Sequence, residues 1–144
     1  MRRAALDLLA RREYSGAELR ERLLKKLGKE LPVDREIERL VAEGLLDDAR
    51  FAEAFVRMHR RRGHGPHRIL HELNQRGIAA ELAEAAVDPR SPEWIELARA
   101  WRVRRFGSAL PRAAADWQRQ ARHLQARGFS TEQVRQVMRE PVVD

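Results

Sequence analysis

Three glycines divide this chain almost evenly, and each stands at the end of a helical pattern. Gly28, Gly77 and Gly128 close the segments ERLLKKLG, LHELNQRG and RHLQARG, at intervals of 49 and 51 residues. Glycine after a basic last turn is the usual helix stop, because it tolerates a left-handed backbone. A period of this size in a chain of 144 residues predicts a repeat architecture. No window alternates apolar and polar residues as a strand would.

The segments between these stops read as nine helices. Residues 2–13 place Ala5, Leu8 and Leu9 on one face. Ser15 and Glu18 form a capping-box pattern, followed by Leu19, Leu23, Leu24 and Leu27. Asp34 is the expected cap of a third helix with Ile37, Leu40 and Val41 inward and Gly44 as its stop. Asp47 starts a fourth, striped by Phe51, Ala54, Phe55 and Met58. Gly63-His64-Gly65-Pro66 breaks it, and Pro66 suits the first turn of a fifth helix carrying Ile69 and Leu73. A short helix over 79–87 and a linker at 88–92 come next. Trp94, Leu97, Ala98 and Trp101 stripe a seventh helix; Ala113, Trp117, Ala121 and Leu124 stripe an eighth. Ser130 with Gln133 opens the ninth, whose apolar face is Val134, Val137 and Met138. The expected fold is all-α: three tandem three-helix repeats, helix-turn-helix-like, over 1–46, 47–88 and 91–140. Small units that mainly touch their neighbours predict an elongated, curved body.

Charge narrows the function. There are 29 basic and 22 acidic side chains, a net charge of +7, and no cysteine. A disulfide scaffold, a thiolate metal site and a cysteine nucleophile are excluded. No apolar run reaches the ~18 residues of a membrane helix, and no signal-type stretch follows Met1, so a cytoplasmic protein is expected. Residues 99–127 hold eight arginines against Asp116 alone. Such a stretch suits a polyanion or an acidic protein surface.

Residues 43–78, EGLLDDARFAEAFVRMHRRRGHGPHRILHELNQRGI, make the reading more specific. Asp47-Asp48 before Arg50-Phe51-Ala52, the step Phe55-Val56-Arg57, and Arg62-Gly63-x-Gly65-Pro66 resemble the RecX family, the regulators of the RecA recombinase. The likeness continues through Arg68-Ile69 and Glu72-Leu73 to Gly77-Ile78. Residues 8–28 and 122–138 are similar to the family's first and third units, and residues 91–121 match more loosely. His64 stands where an aromatic is commoner, and the N-terminal extension of many members is expected to be absent. The resemblance implies a non-enzymatic regulator that binds the RecA–DNA filament, opposes its growth and reduces strand exchange and ATP hydrolysis in recombination, repair and the SOS response. The implied partners are the recombinase filament and DNA phosphates, with no membrane, no cofactor and a monomeric chain.

The candidate contact residues are Arg57, Arg60, Arg61, Arg68, Arg99, Arg102, Arg112, Arg119 and Arg122. At ~100° per residue, Arg112, Arg119 and Arg122 fall opposite Trp117, Ala121 and Leu124 on the eighth helix. In the fourth helix Arg57 and Arg60 point away from Phe51 and Phe55, and Arg61 flanks the core.

Other features have plainer explanations. His59, His64, His67 and His71 lie within thirteen residues, and the i, i+4 pair His67 and His71 has zinc-ligand spacing. Glu72 is the nearby carboxylate, so a polar surface is the expected role. Asp47 and Asp48 suit a helix start better than a magnesium site. Trp94, Trp101 and Trp117 are expected in the core, along with Phe51, Phe55 and Leu73. No phosphate-binding glycine loop and no catalytic triad context is present, so an enzyme is not expected. The rival reading is a free-standing helix-turn-helix-like DNA-binding protein.

Overall fold

The computed structural model describes residues 1–29 and 31–139; the last residue of the expected third repeat, 140, lies outside them. Among the described residues there are nine helices and no strand. They are α1 (Arg2–Leu9), α2 (Gly16–Leu27), α3 (Val33–Ala42), α4 (Asp48–Arg61), α5 (Pro66–Gln75), α6 (Ala80–Ala86), α7 (Glu93–Phe106), α8 (Ala114–Ala126) and α9 (Thr131–Arg139). The chain forms two compact units. The first holds Met1–Phe55 with Glu72–Ala86, and the second holds Val56–His71 with Val87–Asp144.

In the first unit α1, α2 and α3 pack around Ala5, Tyr14, Leu19, Leu23, Val33, Leu40 and Leu46, all buried. The start of α2 is fixed by the expected capping box. The Ser15 hydroxyl accepts from the Glu18 N–H at 3.1 Å, and the Glu18 carboxylate accepts from the Ser15 N–H at 3.3 Å. The same hydroxyl donates to the Arg76 carbonyl at 2.6 Å, tying the cap to the turn after α5. Asp47 caps α4 by accepting from the N–H groups of Ala49 and Arg50, while Asp48 accepts from the Gly16 N–H at 2.7 Å. Both aspartates therefore satisfy helix-start donors. Gly77 has φ +78°, and a Cβ there would meet Ala17 at 2.5 Å.

The second unit packs α7 against α9 and α8, and α8 against α9. Trp94, Ala98, Ala121, Leu124, Phe129, Val134, Val137 and Met138 are buried. Ser130 and Gln133 form a second capping box, and Gln133 also donates to the Pro89 carbonyl at 2.8 Å. Gly65 and Gly128 press backbone to backbone. The Gly65 N–H donates to the Arg127 carbonyl at 2.7 Å, and a Cβ on Gly65 would lie 2.4 Å from Gly128.

Four expectations are corrected. Asp34 is not the cap of α3, since Pro32 holds that position and Asp34 pairs with Arg20 at 2.6 Å. Val41 is 54% exposed, because α3 turns Val33, Glu36 and Leu40 inward instead. Met58 is also exposed, since the buried side of α4 runs through Phe51, Ala52, Phe55, Val56 and His59. Trp117 is half-buried, and Gln120, Ala121 and Leu124 form the covered side of α8.

Candidate anion-binding interface

All nine candidate arginines belong to the second unit. That unit holds sixteen arginines against seven acids, a formal balance of +9, while the first holds thirteen cations and fifteen acids, a balance of −2. The excess of the whole chain thus resides in one of its two bodies.

Arg57, Arg61 and Arg122 are exposed. Arg60 pairs with Glu93 at 3.2 Å and lies over the Trp94 ring at 5.3 Å. Arg99 pairs with Glu96 at 2.6 Å, and Arg119 with Asp116 at 3.5 Å. Arg68 is half-buried, its Cβ within 2.4 Å of where a Cβ on Gly128 would stand. Arg112 is exposed but precedes the Ala113 cap of α8, so it is not placed by helical geometry on the face of Arg119 and Arg122.

Arg102 is corrected outright. It is fully buried, with its guanidinium donating to the carbonyls of Gly107 at 3.3 Å, Ser108 at 3.2 Å and Ala109 at 3.4 Å. It holds the turn that ends α7. Burial first, and Arg99 second, lower its pKa from the ordinary arginine value. A charge this enclosed serves the fold and is closed to a partner. The signal was present in sequence, because Trp94, Ala98 and Arg102 follow one another at i, i+4 and i+8.

Five arginines, Arg61, Arg62, Arg104, Arg105 and Arg127, line a cleft of about 550 Å³ around Trp101. Of these only Arg61 was expected. None of Arg61, Arg62, Arg104 and Arg105 makes an ion pair with a described residue. Arg127 stacks over Trp101 with its guanidinium carbon 4.1 Å from the ring centroid. It also donates to the carbonyls of Gly63, at 3.4 Å, and Arg62. Gly63 is required here, for its φ is +75° and a Cβ would strike the Trp101 ring at 2.4 Å. The arginines come from Arg61-Arg62-Gly63, Arg104-Arg105-Phe106-Gly107 and Arg127-Gly128. Each group sits where a helix ends, and basic residues favour that place because the helix dipole is negative there.

Trp101 is itself held. Its indole N–H, a donor only, gives a hydrogen bond to Nε2 of His123 at 2.9 Å with the rings 5° from parallel. His123 must therefore be unprotonated at Nε2. Burial, then the charges of Arg105 and Arg127, keep its pKa below the ordinary value. Phe106 meets the same imidazole edge-on at 5.2 Å.

The histidine cluster divides. His67 and His71 are exposed, whereas His59 and His64 are buried with their Nδ1 atoms 2.7 Å apart, so one ring donates and the other accepts. These two were expected on a polar surface, and their burial corrects that; His64 also borders the arginine cleft. Among the described residues no three His, Cys, Asp or Glu side chains gather as a metal site would require. No helix among them is long and apolar enough to cross a membrane.

Fold and surface together define an all-helical protein of tandem three-helix domains with an arginine-rich cleft. Family models agree: the second three-helix domain of RecX matches residues 47–87, and the third matches residues 92–138. The regulatory protein RecX of Halorhodospira halophila is 45% identical over 135 residues, covering 94% of this chain and 84% of its own length. That of Ectopseudomonas mendocina is 39% identical over 139 residues, covering 96% and 93%. The crystal structure of RecX from Lactobacillus salivarius superposes with a TM-score of 0.80 at 21% identity over 95% of this chain and 91% of its own, which shows the shared fold. The chain belongs to the RecX family of regulatory proteins.

Proposed function

We propose that this chain binds the filament formed by a RecA-type recombinase on DNA and restrains its growth, ATP hydrolysis and strand exchange. Family membership over nearly the whole chain carries the reading, since the relatives are named regulatory proteins. The concentration of charge in the second unit supports it, because arginine pairs with DNA phosphates and with carboxylates of a protein surface alike. The contact set comprises Arg57, Arg60, Arg61, Arg68, Arg99, Arg112, Arg119 and Arg122, with Arg102 removed. Docking and charge suffice for this action, and no covalent step or cofactor enters it. The working form is a cytoplasmic monomer with repeats at 1–46, 47–88 and 91–140.

The test is a titration of the protein into recombinase filaments on single-stranded DNA, with ATP hydrolysis as the readout. Dose-dependent loss of hydrolysis is expected. Unchanged hydrolysis, with binding to bare duplex DNA as tight as to filaments, would favour a free-standing DNA-binding protein instead.

A further inference from the structure

The cleft around Trp101 is more specific than a basic surface. A solvated arginine face spreads its charges, and surface arginines tend to collect acidic partners. Here four guanidinium groups with no acidic partner among the described residues, and the clamped Arg127, border one concavity of about 550 Å³. Holding like charges together costs free energy, which a ligand must offset by bringing several negative charges into a short span. Carboxylates on a protein surface repel one another and seldom reach that density. Phosphates do, with one charge per ~3.4 Å along each strand of a duplex, and their oxygens match the guanidinium fork.

The cleft is also preformed. Arg127 is fixed by two backbone carbonyls and by Trp101, while Trp101 is fixed by Gly63 on its ring and by His123 at its N–H. Removing the imidazole acceptor would leave the indole N–H without its partner and loosen the ring that supports Arg127.

We propose that this cleft is a binding site for closely spaced phosphate groups, and that His123, accepting the Trp101 N–H, is the positioning residue that keeps it in shape. The proposal deepens the filament reading, because it assigns the nucleic-acid phosphates to this cleft and leaves the recombinase to other surfaces.

The experiment measures binding of a fluorescent oligothymidylate by anisotropy, with ATP, pyrophosphate and poly-glutamate as competitors and a melting curve for every variant. Arg104→Glu with Arg105→Glu should weaken binding roughly tenfold or more and lower the salt slope by about 1.4, since both side chains are exposed on the cleft and each would lose one phosphate contact. A first-unit control, Arg22→Glu with Lys26→Glu, should stay within about twofold, as expected of exposed charges that do not line the cleft. At pH 8, where the imidazole is neutral and no charge is lost, His123→Leu should weaken binding about fivefold, while His123→Gln, which keeps an acceptor, should restore most of it. Competition by ATP or pyrophosphate would show that free polyphosphates share the site, and its absence would assign the cleft to a strand backbone; either supports a phosphate site. Equal losses in the cleft and control variants, or displacement by poly-glutamate as readily as by nucleotide, would overturn it. Unchanged binding by a folded His123→Leu would remove the positioning role. Filament inhibition is measured separately, so wild-type inhibition persisting beside unaltered cleft variants would refute the site and leave the filament reading standing.

Discussion

The two units of this molecule are built from similar helices but manage charge in opposite ways. In the first, cations meet acids. Arg2 pairs with Glu36 and Glu43, Arg20 with Asp34, Arg50 with Glu13, and Arg12 and Arg76 share Glu18. In the second, Arg61, Arg62, Arg104 and Arg105 border a cleft with no acidic partner among the described residues, and one arginine, Arg102, is sunk into the core. The exposed pairs, Arg20–Asp34 and Arg50–Glu13, contribute little stability, typically below ~1 kcal/mol each, whereas Arg2, Arg12 and Arg76 neutralise the more covered carboxylates of Glu36 and Glu18. The second unit pairs Arg60, Arg99 and Arg119 with acids but leaves Arg61, Arg62, Arg104 and Arg105 exposed and without an ion pair to a described residue. The contrast is between a unit whose formal charge nearly balances and one that carries the excess.

The largest expected effect tests whether the second unit's core depends on its buried cation. Arg102→Met removes three hydrogen bonds from a charged donor and should cost about 3 kcal/mol, lowering the melting temperature by roughly 10 °C. Arg104→Met, two residues away and exposed, should change stability by no more than ~0.5 kcal/mol. Equal effects in thermal melts would mean that Arg102 is held by the fold without holding it.

A smaller effect compares the two capping boxes. Ser130→Ala should cost about 1 kcal/mol, the ordinary value of a lost cap. Ser15→Ala should cost about 2 kcal/mol, because the same hydroxyl also donates to the Arg76 carbonyl. Urea unfolding of both variants checks the order, and an equal cost would show that the tie to Arg76 adds nothing.

Acid provides the finest comparison. His123 in the second unit and Glu18 in the first both have folded pKa values below their ordinary ones. For His123 the cause is burial, followed by Arg105 and Arg127. For Glu18 burial acts upward, but hydrogen bonds from Arg12, Ser15 and Arg76 outweigh it. In each case the unfolded state binds the proton more readily, so stability is present above the unfolded pKa and is lost as pH falls toward the folded one. The losses therefore begin below about pH 6.5 for His123 and below about pH 4.3 for Glu18. All three tryptophans lie in the second unit and the one tyrosine, Tyr14, in the first. Tryptophan fluorescence should change at higher pH than tyrosine fluorescence, and His123→Gln should narrow the gap. Coincident transitions would indicate that the units respond to acid together.

How legible this contrast was depends on the range of the interactions involved. Both capping boxes, the glycine stops and most apolar faces are local, and Ser15, Glu18, Ser130 and Gln133 occupy their expected roles. Errors of facing arose where two stripes competed on one helix. On α4 the Phe51, Ala54, Phe55 and Met58 stripe lost to one displaced toward Ala52, Val56 and His59. The His59–His64 pair was hidden because the polarity of histidine suggests a surface position, and the 2.7 Å contact requires the turn at Gly63 to bring the rings together. The cleft was illegible for a different reason. Its arginines come from the ends of three helices, each of which explains its own basic residues by the dipole, and only tertiary packing gathers them.

The most direct test of this division is a charge-matched pair of variants in the recombinase ATPase assay on single-stranded DNA. One carries Arg61→Glu, Arg104→Glu and Arg105→Glu in the second unit, and the other Arg3→Glu, Arg22→Glu and Lys26→Glu in the first; all six positions are exposed. Both lose the same net charge, so a general electrostatic attraction would weaken them equally. The account predicts that the second-unit variant needs roughly ten times more protein for half-inhibition, while the first-unit variant stays within about twofold of the wild type. Equal loss in both, or greater loss in the first, would contradict it.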